Sequence, residues 1–259
     1  MIRLSVVIPT YNRRELTLRA VLHVLDNDCV RRNEVEVVVV DDGSSDGTVD
    51  FLREHFSGSP SVQIIGLARV FDPAICRNTG IELAKGEWLA FLDSDDFWRK
   101  GRLDRLWRHL DQTDLICEDS RFKNDERELK ADAYLRDLIT VNFAPLSSYV
   151  VRRELVLAAG KFPTGFYGAR KRWDRGWEDY ELMIGCACST ALGRTVRALI
   201  LRSDDVVIEP QTGGVGRVQI REQMRRELWT LIRRFWEIPI SLKALAIRRM
   251  LGSVRAIIR

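Results

Sequence analysis

The sequence has few of the residues on which disulfide, zinc or serine-hydrolase chemistry depends. Its five cysteines are scattered over 259 residues without a C-x-x-C pair, which argues against a disulfide framework and against a zinc ribbon. The three histidines are His23, His55 and His109, so none lies beyond residue 109. A serine or cysteine hydrolase is therefore not indicated, because few histidines are available to activate its nucleophile.

Long hydrophobic runs are missing as well. No apolar stretch reaches the roughly 18 residues of a membrane-spanning helix, and the apolar run near Met1 is too short for a signal peptide. Together with the unpaired cysteines, these features predict a cytoplasmic protein. Hydrophobic residues make up 46% of the chain, which is enough for a sizeable core.

Positive charge is concentrated at the end of the chain. Residues 217–259 hold ten arginines and one lysine against three glutamates, and their apolar residues recur at helical spacing. This pattern predicts a basic amphipathic helical tail, with one helix near 225–236, a break at Pro239 and a resumed helical pattern from Leu242. The tail either lies peripherally on the inner face of an anionic membrane or packs on the main domain or on a second copy in a homodimer. No motif that reads nucleic acid accompanies the charge, so nucleic acid is not an expected partner.

The first hundred residues alternate between short β-branched runs and helical patterns. The predicted strands are 3–8, 34–40, 62–65 and 87–92. The predicted helices are 14–26, a second that Ser45 or Asp46 caps and that runs to about residue 56, and 73–84. Alternation of this kind predicts an α/β fold with a mostly parallel twisted sheet flanked by helices, whose ligands gather at the carboxyl ends of the strands. We predict one domain over 1–210, with a front half (1–98) and a more loosely patterned back half (99–210). In the back half the predicted helices are near 99–110, 152–159 and 178–188, and the predicted strands are near 114–118 and 145–151.

Three carboxylates in four residues follow the fourth predicted strand, in the run Asp93-Ser94-Asp95-Asp96. Mg²⁺ and Mn²⁺ prefer oxygen ligands, and such ions commonly take one or two carboxylates plus phosphate oxygens of the substrate. This turn therefore predicts a divalent cation that neutralises a departing diphosphate. The alternative is a helix cap in a solvated acidic turn.

Two further polar segments end the first two predicted strands. Asp41 and Asp42 precede Gly43 and can accept a hydrogen bond from a base or a ribose hydroxyl, or they can simply cap a turn. In the segment Pro9-Thr10-Tyr11, the tyrosine ring can lie against a base and the threonine offers a hydroxyl.

Taken together, these motifs resemble family 2 glycosyltransferases. The resemblance rests on the runs Val7–Asn12, Val40–Ser44, Cys76–Ile81, Ala84–Glu87 and Leu92–Asp96. It covers residues 3–98 well and 145–188 moderately, and it is absent beyond about 210. It implies a GT-A fold with a nucleotide-sugar-binding front half and an acceptor-binding back half.

The resemblance also implies a role for each residue of the donor site. Asp42 would pair with the donor base, Tyr11 and Thr10 would flank it, Asp93 would approach the ribose, and Asp95 would bind the Mg²⁺ or Mn²⁺ that bridges the diphosphate. The predicted donor-binding residues are Pro9, Thr10, Tyr11, Asp41, Asp42, Arg77, Asp93 and Ser94. Arg77 either serves the donor or forms a salt bridge that ties its helix to the acidic strand ends. The chain departs from the family at 66–73, so the loop near the base is expected to differ.

In the back half, the segment that begins Glu178-Asp179 resembles the part of the family that holds the catalytic base. An inverting transfer needs one carboxylate to take the proton of the attacking hydroxyl, which typically accelerates the reaction about 10²–10⁴-fold. Asp179 is the predicted base. Glu178 or Glu181 are alternatives, and all three acids could instead only begin a helix.

The sequence thus predicts a metal-dependent inverting glycosyltransferase of the hexosyl or N-acetylhexosaminyl type. The donor would be a nucleotide diphosphate sugar, with a UDP-sugar favoured, and the acceptor a saccharide or lipid-linked saccharide in surface polysaccharide synthesis. Two alternatives remain open, namely a transferase that uses polyprenyl phosphate as acceptor and a non-catalytic module that binds nucleotide sugars.

Overall fold

A computed structural model describes residues 1–31, 33–118, 126–140, 145–164, 178–208, 231–232, 234 and 236–258. The strands are β1 Leu4–Thr10, β2 Val35–Asp41, β3 Val62–Gly66, β4 Trp88–Phe91, β5 Phe97–Trp98, β6 Leu115–Glu118, β7 Glu126–Lys130, β8 Tyr149–Arg152, β9 Arg197–Leu201 and β10 Val206–Val207. The helices are α1 Arg14–Leu25, α2 Asp28–Arg31, α3 Thr48–His55, α4 Pro73–Leu83, α5 Arg102–Trp107, α6 Ala131–Thr140, α7 Arg153–Ala158, α8 Glu178–Cys188 and α9 Ile240–Ile258. A 3-10 turn covers Leu146–Ser148.

Eight strands form one sheet in the order β3-β2-β1-β4-β8-β6-β9-β7. The first four strands are parallel. Strand β8 runs antiparallel between β4 and β6, β9 is parallel to β6, and β7 closes the far edge antiparallel to β9. The short strands β5 and β10 form a separate antiparallel pair.

The central strands are apolar on both faces because helices cover both sides of the sheet. Every residue of β1 and β2 is buried, as is typical of parallel strands enclosed in this way. Val6 and Ile8 belong to a core shared with α1, α3 and α5, whereas Val7 belongs to one shared with α4, α6, α7, α8 and α9. The chain therefore folds as two helical layers around one sheet.

The predicted α/β class with a mostly parallel, helix-flanked sheet is confirmed. The four predicted front strands and three front helices are present, and Asp46 accepts the backbone N–H of Thr48 at the start of α3 at 3.0 Å. The predicted helix at 99–110 is shorter, since α5 begins only after Gly101, whose φ of +75° does not continue a helix. Strand β7 and helix α6 have no counterpart in the sequence prediction.

The described part of the basic tail packs on the domain. Leu231, Leu242 and Ala246 are buried in the core that contains α8, and α9 ends at Ile258. The rest of the predicted helix near 225–236, together with residues 217–224, lies mainly outside the described residues. Within the described residues we find no helix that combines the length and the hydropathy of a membrane-spanning segment.

Candidate active site

The three predicted polar segments of the front half lie together at one edge of the sheet. Because β1, β2 and β4 are parallel, their carboxyl ends meet there, and they border a cleft of about 400 Å³. The predicted residues that line it are Pro9, Thr10, Tyr11, Asp42, Arg77, Asp93, Ser94 and Asp95. The cleft also contains Glu178, one of the alternative bases, and residues that the sequence did not indicate, among them Arg13, Arg69 and Phe71.

Asp41 is not among the residues that line the cleft. Its side chain accepts the backbone N–H of Ser44 at 2.7 Å and the hydroxyl of the same serine, and the residue is 1% exposed. The structure therefore gives Asp41 the turn-capping arrangement that the sequence left open as an alternative.

Asp42 anchors the loop that follows β3. One carboxylate oxygen accepts the N–H of Val70 at 2.6 Å, and the other accepts the N–H of Phe71 at 3.1 Å and the Arg69 guanidinium at 2.7 Å. Gly43 allows the loop to approach this closely. Its φ is +68°, and a Cβ at this position would lie only 2.7 Å from the backbone nitrogen of Arg69. A ligand that needs Asp42 therefore shares this carboxylate with the loop.

The guanidinium of Arg69 lies between two aromatic rings. Its central carbon is 3.2 Å from the centre of the Tyr11 ring and 4.4 Å from that of Phe71, which is cation–π geometry. Phe71 is 63% exposed, and its φ of +60° is uncommon outside glycine. The ring that the sequence assigns to a donor base is thus in contact with an arginine of the loop at 66–73. Arg69 and Phe71 both follow β3, whose carboxyl end lies at the same edge of the sheet as the cleft. Their position just after a parallel strand was the feature of the sequence that could have identified them as cleft residues.

The acidic turn that follows β4 is held by Ser147. The Ser147 hydroxyl donates to Asp96 at 2.6 Å and accepts the backbone N–H of Asp93 at 3.1 Å, while the Ser147 carbonyl accepts the Trp98 indole N–H at 2.9 Å. Ser147 is fully buried. Because Asp96 is engaged in this way, Asp93 and Asp95 are the carboxylates of the turn that line the cleft.

Asp95 pairs with a cation inside the cleft. An Arg13 guanidinium nitrogen lies 2.8 Å from its carboxylate, and the Arg13 side chain, 42% exposed, can be displaced without a large burial cost. Among the described residues no group of three or more His, Cys, Asp and Glu side chains is arranged to hold a metal. A hard divalent ion here would rely on Asp95 and Asp93 plus substrate oxygens, and this ligand set fits Mg²⁺ and Mn²⁺.

Arg77 joins the two halves of the site. Its guanidinium donates to Asp93 of the front half at 2.7 Å and to Glu178 of the back half at 2.9 Å. Arg77 and Glu178 are both buried. The salt bridge that the sequence offered as one alternative is therefore present, and it spans from the acidic turn to the first turn of α8.

Asp179 is the second residue of α8, next to Glu178, and is half-buried. It is not among the residues that line the cleft, and it accepts the N–H of Tyr180 at 2.7 Å. Burial and then the neighbouring Glu178 carboxylate raise the pKa of Asp179 to about 7, against the opposing effects of that N–H and of Arg77. A base with a pKa near the working pH is suited to proton transfer. The third predicted acid, Glu181, instead faces Arg234 at 3.8 Å.

Comparison with known proteins bears on this arrangement. The family model described as Glycosyl transferase family 2 matches residues 5–172. Among curated proteins, the chain is 37% identical over 101 residues to the putative teichuronic acid biosynthesis glycosyltransferase TuaG of Bacillus subtilis (strain 168), which is 39% of each chain. The match therefore spans well under half of that relative.

Two solved structures share the fold. S. aureus TarS 1-349 superposes with a TM-score of 0.72 at 20% identity, covering 97% of this chain and 71% of TarS, and TarS has also been solved with UDP-GlcNAc. The mannosyltransferase PcManGT from Pyrobaculum calidifontis, in complex with GDP-Man and Mn²⁺, superposes with a TM-score of 0.67 at 20% identity, covering 98% and 72%. The fold is GT-A, as the sequence predicted.

Proposed function

Because this chain belongs to glycosyl transferase family 2, we propose that it is an inverting glycosyltransferase that moves a sugar from a nucleotide diphosphate donor to a saccharide or lipid-linked saccharide. One observation carries the proposal. The cleft contains an acidic turn suited to a diphosphate-bound cation, and Arg77 joins this turn to Glu178, whose neighbour Asp179 has a pKa near 7.

In this proposal Asp95, with Asp93, would hold a divalent cation. The cation would neutralise negative charge on the diphosphate. The fit rests on the oxygen ligands of the turn and on Asp95, whose carboxylate already attracts the Arg13 cation in the cleft. Arg13, whose guanidinium pairs with Asp95 in this structure, would then be available to meet phosphate oxygens of the donor.

Asp179 would take the proton of the acceptor hydroxyl. Arg77 would bind both Glu178, the neighbour of Asp179, and Asp93 of the acidic turn. The base and the donor site would therefore keep a fixed separation. At the base subsite, a nucleobase that stacks on Tyr11 and bonds to Asp42 would exchange places with the Arg69 guanidinium. We therefore expect the loop at 66–73 to influence which base is accepted.

A UDP-sugar is the favoured donor, and surface polysaccharide synthesis is the favoured setting. Support comes from TuaG, whose name places it in teichuronic acid biosynthesis, and from TarS, solved with UDP-GlcNAc, although PcManGT was solved with GDP-Man. The alternatives that the sequence left open are polyprenyl phosphate as the acceptor and a binding module without catalysis.

A thermal-shift panel of UDP-, GDP-, CDP- and dTDP-sugars, each with and without Mn²⁺, tests donor binding. We expect one base to raise the melting temperature clearly more than the others, and only when Mn²⁺ is present. Asp95→Asn should abolish that metal-dependent shift because it removes the proposed ligand.

The matched control is Asp204→Asn, an aspartate that does not line the cleft and should retain the shift. Binding of all four donors without metal would contradict the role of Asp95. Binding without nucleotide release on any saccharide or lipid-linked acceptor would favour the non-catalytic module.

The rate of transfer should depend on pH through Asp179. The base acts only when deprotonated, so with a pKa of about 7 we expect kcat/KM to fall about tenfold per unit below pH 7 and to level off above it. Glu178→Gln removes the charge that helps to raise this pKa, and the acid limb should then move to lower pH. A profile that stays in place in Glu178→Gln would exclude Asp179 as the titrating base.

A further inference from the structure

Helix α9 carries apolar residues on two opposite faces. On one face Leu242 and Ala246 are buried in the main core, with Leu245 and Met250 packed against it. This face fixes the helix to the domain, against α6. The buried face accounts for only some of the apolar residues of α9.

The opposite face carries Ile240, Ile247 and Leu251, and together with Trp236, which lies just before the helix, these residues form what we call the exposed stripe. In this order, the four residues are 87%, 44%, 55% and 82% exposed. Ile240, Ile247 and Leu251 lie seven and four residues apart, a spacing that places them along one side of a helix. Large apolar side chains gathered on one solvent-facing surface mark an interaction site rather than the scattered exposure of an ordinary surface.

The aliphatic part of the stripe, Ile240 to Leu251, lies in a segment whose charged residues are all basic. After Glu237 the sequence has no acidic residue, and its charged residues are Lys243, Arg248, Arg249, Arg255 and Arg259. The Lys243 ammonium lies 4.9 Å from the centre of the Trp236 ring, and Arg248 is exposed. Apolar and cationic groups therefore occupy the same surface.

We infer that the exposed stripe docks the protein on an anionic lipid bilayer. Aliphatic side chains would enter the boundary between headgroups and acyl chains, tryptophan would lie at the headgroup level, and the basic residues would meet anionic headgroups. A second copy of the chain is a poorer occupant, because a symmetric pairing of this face would bring two uniformly basic segments together. The inference concerns the part of the tail that the structure describes.

This surface is connected to the proposed acceptor side of the cleft. Arg234, near the start of the stripe, donates to the carbonyl of Ala159 at 2.9 Å and lies 3.8 Å from Glu181. Glu181 is on α8, two residues after Asp179. If the proposed function holds, a docked protein would keep its base close to the membrane, and an acceptor that is itself anchored in lipid would suit this arrangement.

Sedimentation of the full chain with vesicles, without any donor, tests the docking surface independently of catalysis. The probes are vesicles of phosphatidylglycerol and phosphatidylcholine in equal parts, compared with phosphatidylcholine alone. We expect pelleting on the anionic vesicles and a drop of about fivefold in partitioning for each basic residue removed, as in Lys243→Gln and Arg248→Gln.

The triple variant Ile240→Ser/Ile247→Ser/Leu251→Ser should reduce partitioning about tenfold or more, because it removes the aliphatic part of the stripe. Its matched control is Leu22→Ser/Leu83→Ser/Leu157→Ser, which replaces aliphatics that are 44%, 39% and 43% exposed elsewhere. Circular dichroism melts establish that both triple variants fold, and the two glutamine variants test the surface without altering the stripe.

Equal pelleting of the stripe variant and its control would overturn the inference, as would equal pelleting on neutral and anionic vesicles. Failure of the wild-type protein to pellet would also overturn it. Analytical ultracentrifugation tests whether a second copy of the chain covers this face instead. If the wild-type protein does not bind vesicles but forms a dimer, and the stripe variant is a monomer, the face belongs to a dimer interface.

Discussion

Asp179→Asn is expected to lower the rate of sugar transfer by about 10²–10⁴-fold, the usual contribution of a general base. Asparagine keeps the shape of the side chain but cannot take the proton of an attacking hydroxyl. Donor binding should survive, because the residues that line the donor cleft are unchanged. The measurement is release of nucleoside diphosphate from the donor identified by thermal shift, in the presence of a panel of saccharide and lipid-linked acceptors.

Glu181→Gln is the matched control for this prediction. Glu181 belongs to the same turn of α8, but it faces Arg234 rather than Arg77, so its loss should change the rate only a few-fold. Should Glu181→Gln abolish transfer while Asp179→Asn remains active, the base would have to be reassigned. A loss of the donor thermal shift in Asp179→Asn would instead indicate damage to the fold of the site.

Arg77→Met is expected to destabilise the protein by about 3–5 kcal/mol, the usual effect of removing one partner from a buried ion pair. The variant would leave the Glu178 carboxylate, whose side chain is 7% exposed, without its cation. It would also remove the contact that holds Asp93 in place, so binding of the donor with metal should weaken. Urea denaturation gives the free energy of unfolding, and the thermal-shift assay gives the donor response.

The double variant Arg77→Met/Glu178→Gln separates the ion pair from packing. Because it removes the stranded charge as well, it should recover a substantial part of the lost stability. Lys100→Met breaks a pair in which the lysine side chain is 73% exposed and should cost less than about 1 kcal/mol. Equal losses for Arg77→Met and Lys100→Met would show that the Arg77 pairs contribute little.

The front half of the fold could be predicted because its information is local. Runs such as Val37–Val40 are apolar without interruption, as strands covered on both faces require, and helix starts such as Asp72-Pro73 carry their own caps. The placement of polar segments at strand ends followed from the parallel sheet alone. Eight of the ten predicted site residues accordingly line the cleft.

What the sequence could not predict depends on contacts between distant segments. The bond from Ser147 to Asp96 joins residues 51 apart, and that from Arg77 to Glu178 joins residues 101 apart. Contacts of this kind produce no periodic pattern in the sequence. The same is true of Arg69, whose stacking on Tyr11 depends on how the loop after β3 turns back over Asp42.

The reversed direction of β8 affects how this enzyme could be recombined with its relatives. Because β8 runs opposite to β4, it begins at the edge where β4 ends, and the turn before it delivers Ser147 to the acidic turn of the front half. A chimera that joins residues 1–98 to a foreign back half would therefore need a hydroxyl at this point. The boundary suitable for exchanging the back half lies beyond Ser147, and the segment up to Arg152 should be inherited together with residues 1–98.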